Sequence, residues 1–112
     1  MNRVICCDLD GVVWRGEVPI PGSAAAIARL RAGGCRVAFL TNNSSGRVAD
    51  YVAKLAVAGV DADPDDVLTS AQAAVGLLGE RVPAGARVLA CAGPGVVEAL
   101  TDAGFEVVDA AP

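Results

Sequence analysis

The sequence of 112 residues contains no histidine. That absence excludes Ser-His-Asp and Cys-His nucleophile systems, His-ligated zinc and imidazole pH switches. Acid–base chemistry falls to carboxylates, thiols, the single Lys54 or the single Tyr51. Aromatic residues make up only 4% of the chain, and Ala (22) and Val (17) supply most of the 60 apolar residues, so the core is built from small side chains. Nine basic against 13 acidic residues leave a net charge of −4. The basic residues form no stripe, which argues against nucleic acid as a partner.

No Cys-x-x-Cys pair occurs among Cys6, Cys7, Cys35 and Cys91. Buried, reduced thiols in a cytoplasmic protein are the expectation. No long hydrophobic run occurs either. The longest charge-free stretch, Val67 to Gly79, has 13 residues, too few to span a membrane, and Asp8 cuts the first apolar run, so no secretory signal is read. What is abundant is apolar content, 54% of the chain, which excludes disorder and predicts one domain or part of one.

Val4-Ile5-Cys6-Cys7 is a β-prone run that predicts a strand buried on both faces. Val12 to Ile20, with Gly16 and Pro19, reads as a turn or small hairpin. A helix follows from Ser23, a candidate N-cap, through Ala24, Ile27 and Leu30 to Gly33-Gly34. Arg36 to Leu40 is a second strand, and a second helix from about Ser45 carries Val48, Tyr51, Val52 and Leu55 at helical spacing up to Gly59. After an acidic turn, Asp61 to Asp66, come a short strand at Val67-Leu68 and a helix opened by a Thr69/Gln72 capping box, with Ala71, Ala74, Val75 and Leu78 as its stripe. Beyond the break at Pro83-Ala84-Gly85, Arg87 to Cys91 reads as a strand, Val96 to Ala103 as a helix and Glu106 to Val108 as a last strand. Strict alternation of strands and helices predicts an α/β fold: a Rossmann-like parallel sheet with helices on both faces.

Ligands of open parallel sheets bind outside the carboxyl ends of the strands. The first strand ends in Asp8-Leu9-Asp10-Gly11 and the second in Thr41-Asn42-Asn43-Ser44-Ser45. Asp8 and Asp10, two apart, face one side of extended backbone while Leu9 turns into the core. Two carboxylates at a buried strand end are desolvated and repel, so they need a cation or a shared proton. Gly11 allows close backbone approach or a positive φ. Thr41, Asn42, Asn43 and Ser44 gather hydroxyl, amide and N–H donors with no acid among them, a reasonable phosphate cradle before a helix. Two other patterns carry less. Asp61 to Asp66 starts like a calcium loop, but its sixth position is Asp66 rather than Gly and its twelfth is Gln72. Gly93-Pro94-Gly95 starts like a dinucleotide loop, but Glu98 replaces the third glycine.

The segment Asp8-Leu9-Asp10-Gly11-Val12-Val13-Trp14-Arg15-Gly16, with Thr41-Asn42-Asn43-Ser44-Ser45 and Thr69-Ser70-Ala71, resembles the haloacid dehalogenase (HAD) superfamily, in its NagD-like and nitrophenylphosphatase-like branch. The resemblance implies a Mg²⁺-dependent phosphatase acting on a small phosphorylated metabolite through an aspartyl-phosphate. By it, Asp8 is the nucleophile and Asp10 the acid–base. Mg²⁺ is held by the Asp8 carboxylate and the Asp10 carbonyl, and Asp10, Gly11, Thr41, Asn42 and Asn43 surround the phosphate. A non-catalytic phosphate-binding or interaction module is the alternative.

Two parts of the family pattern are missing. No Gly-Asp-x-x-x-Asp-like segment follows, and the only lysine, Lys54, falls on the second helix, where it reads as a solvent-facing charge. The resemblance divides the chain into residues 1–84, the N-terminal part of the core, and 85–112, the opening of an α/β cap. The expectation is a piece of a longer enzyme, weak or inactive alone, that pairs with a second copy or with the remainder of its chain.

Overall fold

The computed structural model describes residues 3–108. Its contacts gather into two compact units. The first comprises the chain up to Thr41 and Val48–Leu68; the second comprises Asn42–Arg47 and the chain from Thr69 onward.

In the first unit, β1 (Arg3–Asp8) is followed by a hairpin of β2 (Trp14–Arg15) and β3 (Val18–Pro19), then α1 (Ser23–Ala32), β4 (Cys35–Thr41), α2 (Val48–Val57), a 3₁₀ turn (Pro64–Asp66) and β5 (Val67–Thr69). The sheet order is β1-β4-β5. β1 and β4 run parallel, in register from Arg3 opposite Cys35 to Asp8 opposite Leu40. A parallel pair needs a crossover, and α1 supplies it, packing against β4. β4, the central strand, points Val37, Phe39 and Thr41 inward in strict alternation. Val37 and Phe39 join Leu9, Val13, Trp14, Ile27, Tyr51, Leu55, Val60 and Val67 around one core.

β1 departs from its expectation. It is not buried on both faces: Val4 is 60% exposed and Cys6 is exposed, while Ile5 and Cys7 are half-buried. Among the described residues β1 is an edge strand paired with β4 alone, and the face that carries Val4 and Cys6 is uncovered. The expected buried thiols are corrected likewise, since Cys6 and Cys91 are exposed and Cys7 and Cys35 half-buried, all four free. Ser23 is not the N-cap of α1. Gly22 takes that place, and the Ser23 hydroxyl donates to the Val12 carbonyl at 2.6 Å, tying the helix start to the segment after β1. α2 begins at Val48 rather than near Ser45, and buries Tyr51 and Leu55 from the expected stripe.

In the second unit, α3 (Ser70–Gly79) opens on the predicted capping box. The Gln72 N–H donates to Thr69 Oγ1 at 3.2 Å, and the Thr69 N–H donates to Gln72 Oε1 at 2.9 Å. β6 (Arg87–Leu89), α4 (Pro94–Asp102) and β7 (Glu106–Val108) then form a βαβ unit with β6 and β7 paired in parallel. Ala71 and Val75 of α3 pack with Ala99, Leu100 and Phe105 in one core. Among the described residues, no helix is long and apolar enough to cross a membrane.

Candidate active site

Asp8 is the last residue of β1 and Thr41 the last of β4. The parallel register therefore brings both to the carboxyl edge of the sheet. Beyond Asp8 the chain turns sharply. Leu9, fully buried, anchors the turn, and its carbonyl accepts from the N–H groups of Val12 at 3.1 Å and Val13 at 2.9 Å. Gly11 takes φ +84° and donates its N–H to the Trp14 carbonyl at 2.8 Å. A Cβ there would meet nothing within 4 Å, so the left-handed backbone, not crowding, asks for glycine.

Burying Leu9 turns its two neighbours outward, and Asp8 and Asp10 are both exposed. The expected desolvated, repelling pair is thus corrected: the carboxylates stand at an open strand end, accessible to a cation and a substrate. Each is oriented by a donor. The Leu9 N–H donates to Asp8 Oδ1 at 2.9 Å, and Trp14 Nε1 donates to Asp10 Oδ1 at 3.0 Å. Next to them, burial first and then the Asp8 charge push the Cys7 thiol above its ordinary pKa.

Thr41 is buried, only 5% exposed. Asn42 and Asn43 follow it in the chain, are exposed, and belong to the second unit. There Asn43 Oδ1 accepts from the N–H of Ser45 at 3.1 Å and from its hydroxyl at 2.7 Å, while the Ser70 hydroxyl donates to the Asn42 carbonyl at 3.0 Å. The structure thus gathers Asp8, Asp10, Gly11 and Thr41 at one sheet edge and holds Asn42 and Asn43 in an ordered loop. That loop, and not a helix start, directly follows β4.

Lys54 is a second correction. It is half-buried, with Nζ 4.5 Å from the centroid of the Trp14 ring and 3.6 Å from Glu17 Oε1. Sequence reasoning missed the Asp10–Trp14–Lys54 contact. The indole four residues after the acid was a local signal for its first half, but nothing local links Lys54 to Trp14.

Among the described residues, no three His, Cys, Asp or Glu side chains form a metal cluster. Asp8 and Asp10 nevertheless offer exposed oxygen donors, the chemistry a hard cation takes. Mg²⁺ keeps several waters and needs only one or two carboxylates from a protein. The donor set fits that ion.

A family profile described as haloacid dehalogenase-like hydrolase matches residues 5–106. The glycerol-3-phosphate phosphatase of Gallus gallus is 40% identical over 99 residues, which is 88% of this chain and 32% of that protein. Two solved structures superpose closely. The glycerol phosphate phosphatase of Mycobacterium tuberculosis, crystallised with magnesium, has a TM-score of 0.84 and 33% identity over 94% of this chain and 31% of its own. NagD of E. coli K-12 has a TM-score of 0.78 and 32% identity over 98% of this chain and 43% of its own. The chain spans less than half the length of each of these proteins. With its two aspartates at the carboxyl end of the first parallel strand and the profile running over nearly every described residue, the chain belongs to the haloacid dehalogenase-like hydrolases.

Proposed function

We propose that this chain carries the nucleophile and the acid–base of a Mg²⁺-dependent phosphomonoesterase acting on small phosphorylated metabolites. The observation that carries the reading is the pair of exposed, separately oriented carboxylates, Asp8 and Asp10, flanking the buried Leu9 at the sheet edge. Asp8 attacks the phosphorus with the oxygen not bonded to the Leu9 N–H, and the ester P–O bond breaks to leave an aspartyl-phosphate. Asp10 gives its proton to the departing alcohol. It then takes one from the water that cleaves the aspartyl-phosphate and releases inorganic phosphate. Asp8 and the Asp10 carbonyl would hold Mg²⁺, which neutralises phosphate charge when bound. In this reading Thr41 and the Asn42 N–H hold the phosphate, with Asp10, Gly11 and Asn43 beside it.

The reading assigns residues 1–84 to the core and 85–112 to the opening of a cap; β6, α4 and β7 form the βαβ with which such a cap would open, although α4 shares its core with α3. Four free cysteines suit a reducing, cytoplasmic setting. The open edge of β1, with Val4 exposed, supports pairing with a second copy or a further strand. Phosphate release from p-nitrophenyl phosphate by the complete protein, with and without Mg²⁺, tests the activity. Trapping of phosphoenzyme by acid quench tests the Asp10 role. Asp10→Asn accumulates the intermediate, because hydrolysis loses roughly 10²–10⁴-fold of acid–base assistance. Phosphate binding without turnover would identify a non-catalytic module instead.

A further inference from the structure

The geometry points to Trp14 as a positioning residue that fixes which oxygen of Asp10 handles the proton, with Lys54 holding the indole in place. The inference rests on the acid–base reading of Asp10. Trp14 is 2% exposed, yet its ring nitrogen reaches the exposed Asp10 and donates to Oδ1 at 3.0 Å. An indole N–H is a donor only. While it occupies Oδ1, that oxygen is supplied with a hydrogen, and the proton that Asp10 exchanges resides on Oδ2. The carboxyl group is thereby held to one rotamer and one protonation site.

The indole must itself be fixed for this to work. An N–H lies in the plane of its ring, so fixing the plane fixes the direction of donation. Packing against Leu9, Val13 and the rest of the core does part of this. Lys54 does the rest, with its ammonium 4.5 Å from the ring centroid, a cation–π distance. Glu17 stands 3.6 Å from the same ammonium but is 93% exposed, so that ion pair adds little to the placement. Trp14 lies in the β2–β3 hairpin and Lys54 on α2. The orientation of Asp10 therefore depends on two elements outside the strand end that carries it.

The test compares an alkyl phosphate, glycerol 3-phosphate, with p-nitrophenyl phosphate in the complete protein. An alkoxide leaving group needs a proton in the transition state, whereas p-nitrophenolate needs almost none. Trp14→Phe, which keeps a ring and removes the N–H, is expected to lower the alkyl-to-aryl ratio of kcat/KM about tenfold, the weight of one hydrogen bond to a charged group. KM for p-nitrophenyl phosphate stays within about twofold. The benzothienyl isostere of tryptophan, which replaces N–H by sulfur at constant shape, gives the same result and covers a Phe variant that fails to fold. Lys54→Met gives a smaller drop in the same direction. Trp14 is the only tryptophan, so the 112-residue chain shows one indole N–H resonance, which shifts on Asp10→Ala. An unchanged ratio in both Trp14 variants, with Asp10→Asn still lowering it, would overturn the positioning role alone. Unchanged rates in Asp10→Asn would overturn the acid–base reading and the positioning role with it.

Discussion

The N–H of Gly95 donates to the carbonyl of Ser45 at 2.9 Å, joining the first turn of α4 to the loop that follows β4. A Cβ on Gly95 would run into the carbonyls of Gly46 and Ser44, and one on Gly93 would meet the Ser45 side chain at 2.8 Å. This close approach accounts for the glycines of Gly93-Pro94-Gly95, which the sequence alone offers as a broken nucleotide loop.

Gly95→Ala therefore destabilises the second unit. Overpacking of this kind costs about 1–3 kcal/mol, and here the neighbours are backbone and cannot rotate away. Gly76, inside α3 with nothing within 4 Å of its added Cβ, is the control. Gly76→Ala stabilises by about 0.5–1 kcal/mol. Urea unfolding of the two variants measures the opposite signs, and equal shifts would contradict the close approach.

Asp8→Asn removes turnover and leaves the fold intact. The amide oxygen still accepts the Leu9 N–H, so the turn is kept, but the group is neither nucleophile nor anionic ligand. The comparison is steady-state phosphate release against unfolding midpoint. Near-normal kcat in this variant would remove Asp8 from the mechanism.

Chelation abolishes activity and Mg²⁺ restores it, while Ca²⁺ restores it poorly. Ca²⁺ takes about 6–8 ligands at roughly 2.3–2.6 Å, against an octahedron at roughly 2.0–2.1 Å for Mg²⁺. The longer bonds displace a phosphate from in-line attack by Asp8. Initial rates at saturating concentrations of each ion decide the matter, and equal rates would count against a tight octahedral site.

Thr69→Ala destabilises α3 by about 1 kcal/mol, because it removes the acceptor for the Gln72 N–H in the first turn. Thr69→Ser retains the acceptor and most of the stability. Thermal unfolding compares the two, and a Ser variant as unstable as the Ala variant would show that the methyl group, not the hydroxyl, matters there.

Cys7 is expected to react with iodoacetamide after Cys6 and Cys91. Its thiol pKa is raised by burial and by Asp8, so less thiolate is present at a given pH. The sign for stability follows. The folded state holds this proton more tightly than the unfolded chain. The contribution is fully present below the pKa of the unfolded thiol and is lost as pH rises through the higher folded value. Cys7→Ser removes that part of the alkaline loss, as a pH series of unfolding midpoints would show. Peptide mapping gives the order of labelling, and Cys7 labelled first would contradict the shift.

The order of strands and helices, the capping box of Thr69 and Gln72, and the two acids at the first strand end were legible in the sequence. Each is written in local spacing: an apolar run broken by Asp8-Leu9-Asp10, a helical stripe at Tyr51 and Leu55, a hydroxyl three residues before a glutamine. The exposure of Asp8, Asp10 and Cys6 was not legible, because β1 reads as a strand covered on both faces, and only the packing shows which face is left uncovered and which way the turn around the buried Leu9 sends its neighbours. Lys54 read as a surface charge because a helix position tells which face a side chain leaves from but not what another element brings to meet it. Its place over Trp14, and the grip of Trp14 on Asp10, exist only once the hairpin and α2 have packed on the same core. Local periodicity sets the elements and marks where the reactive groups lie along the chain. Contacts between residues far apart in sequence set how exposed those groups are and how Trp14, the local partner of Asp10, is itself fixed, and such contacts leave no trace in spacing.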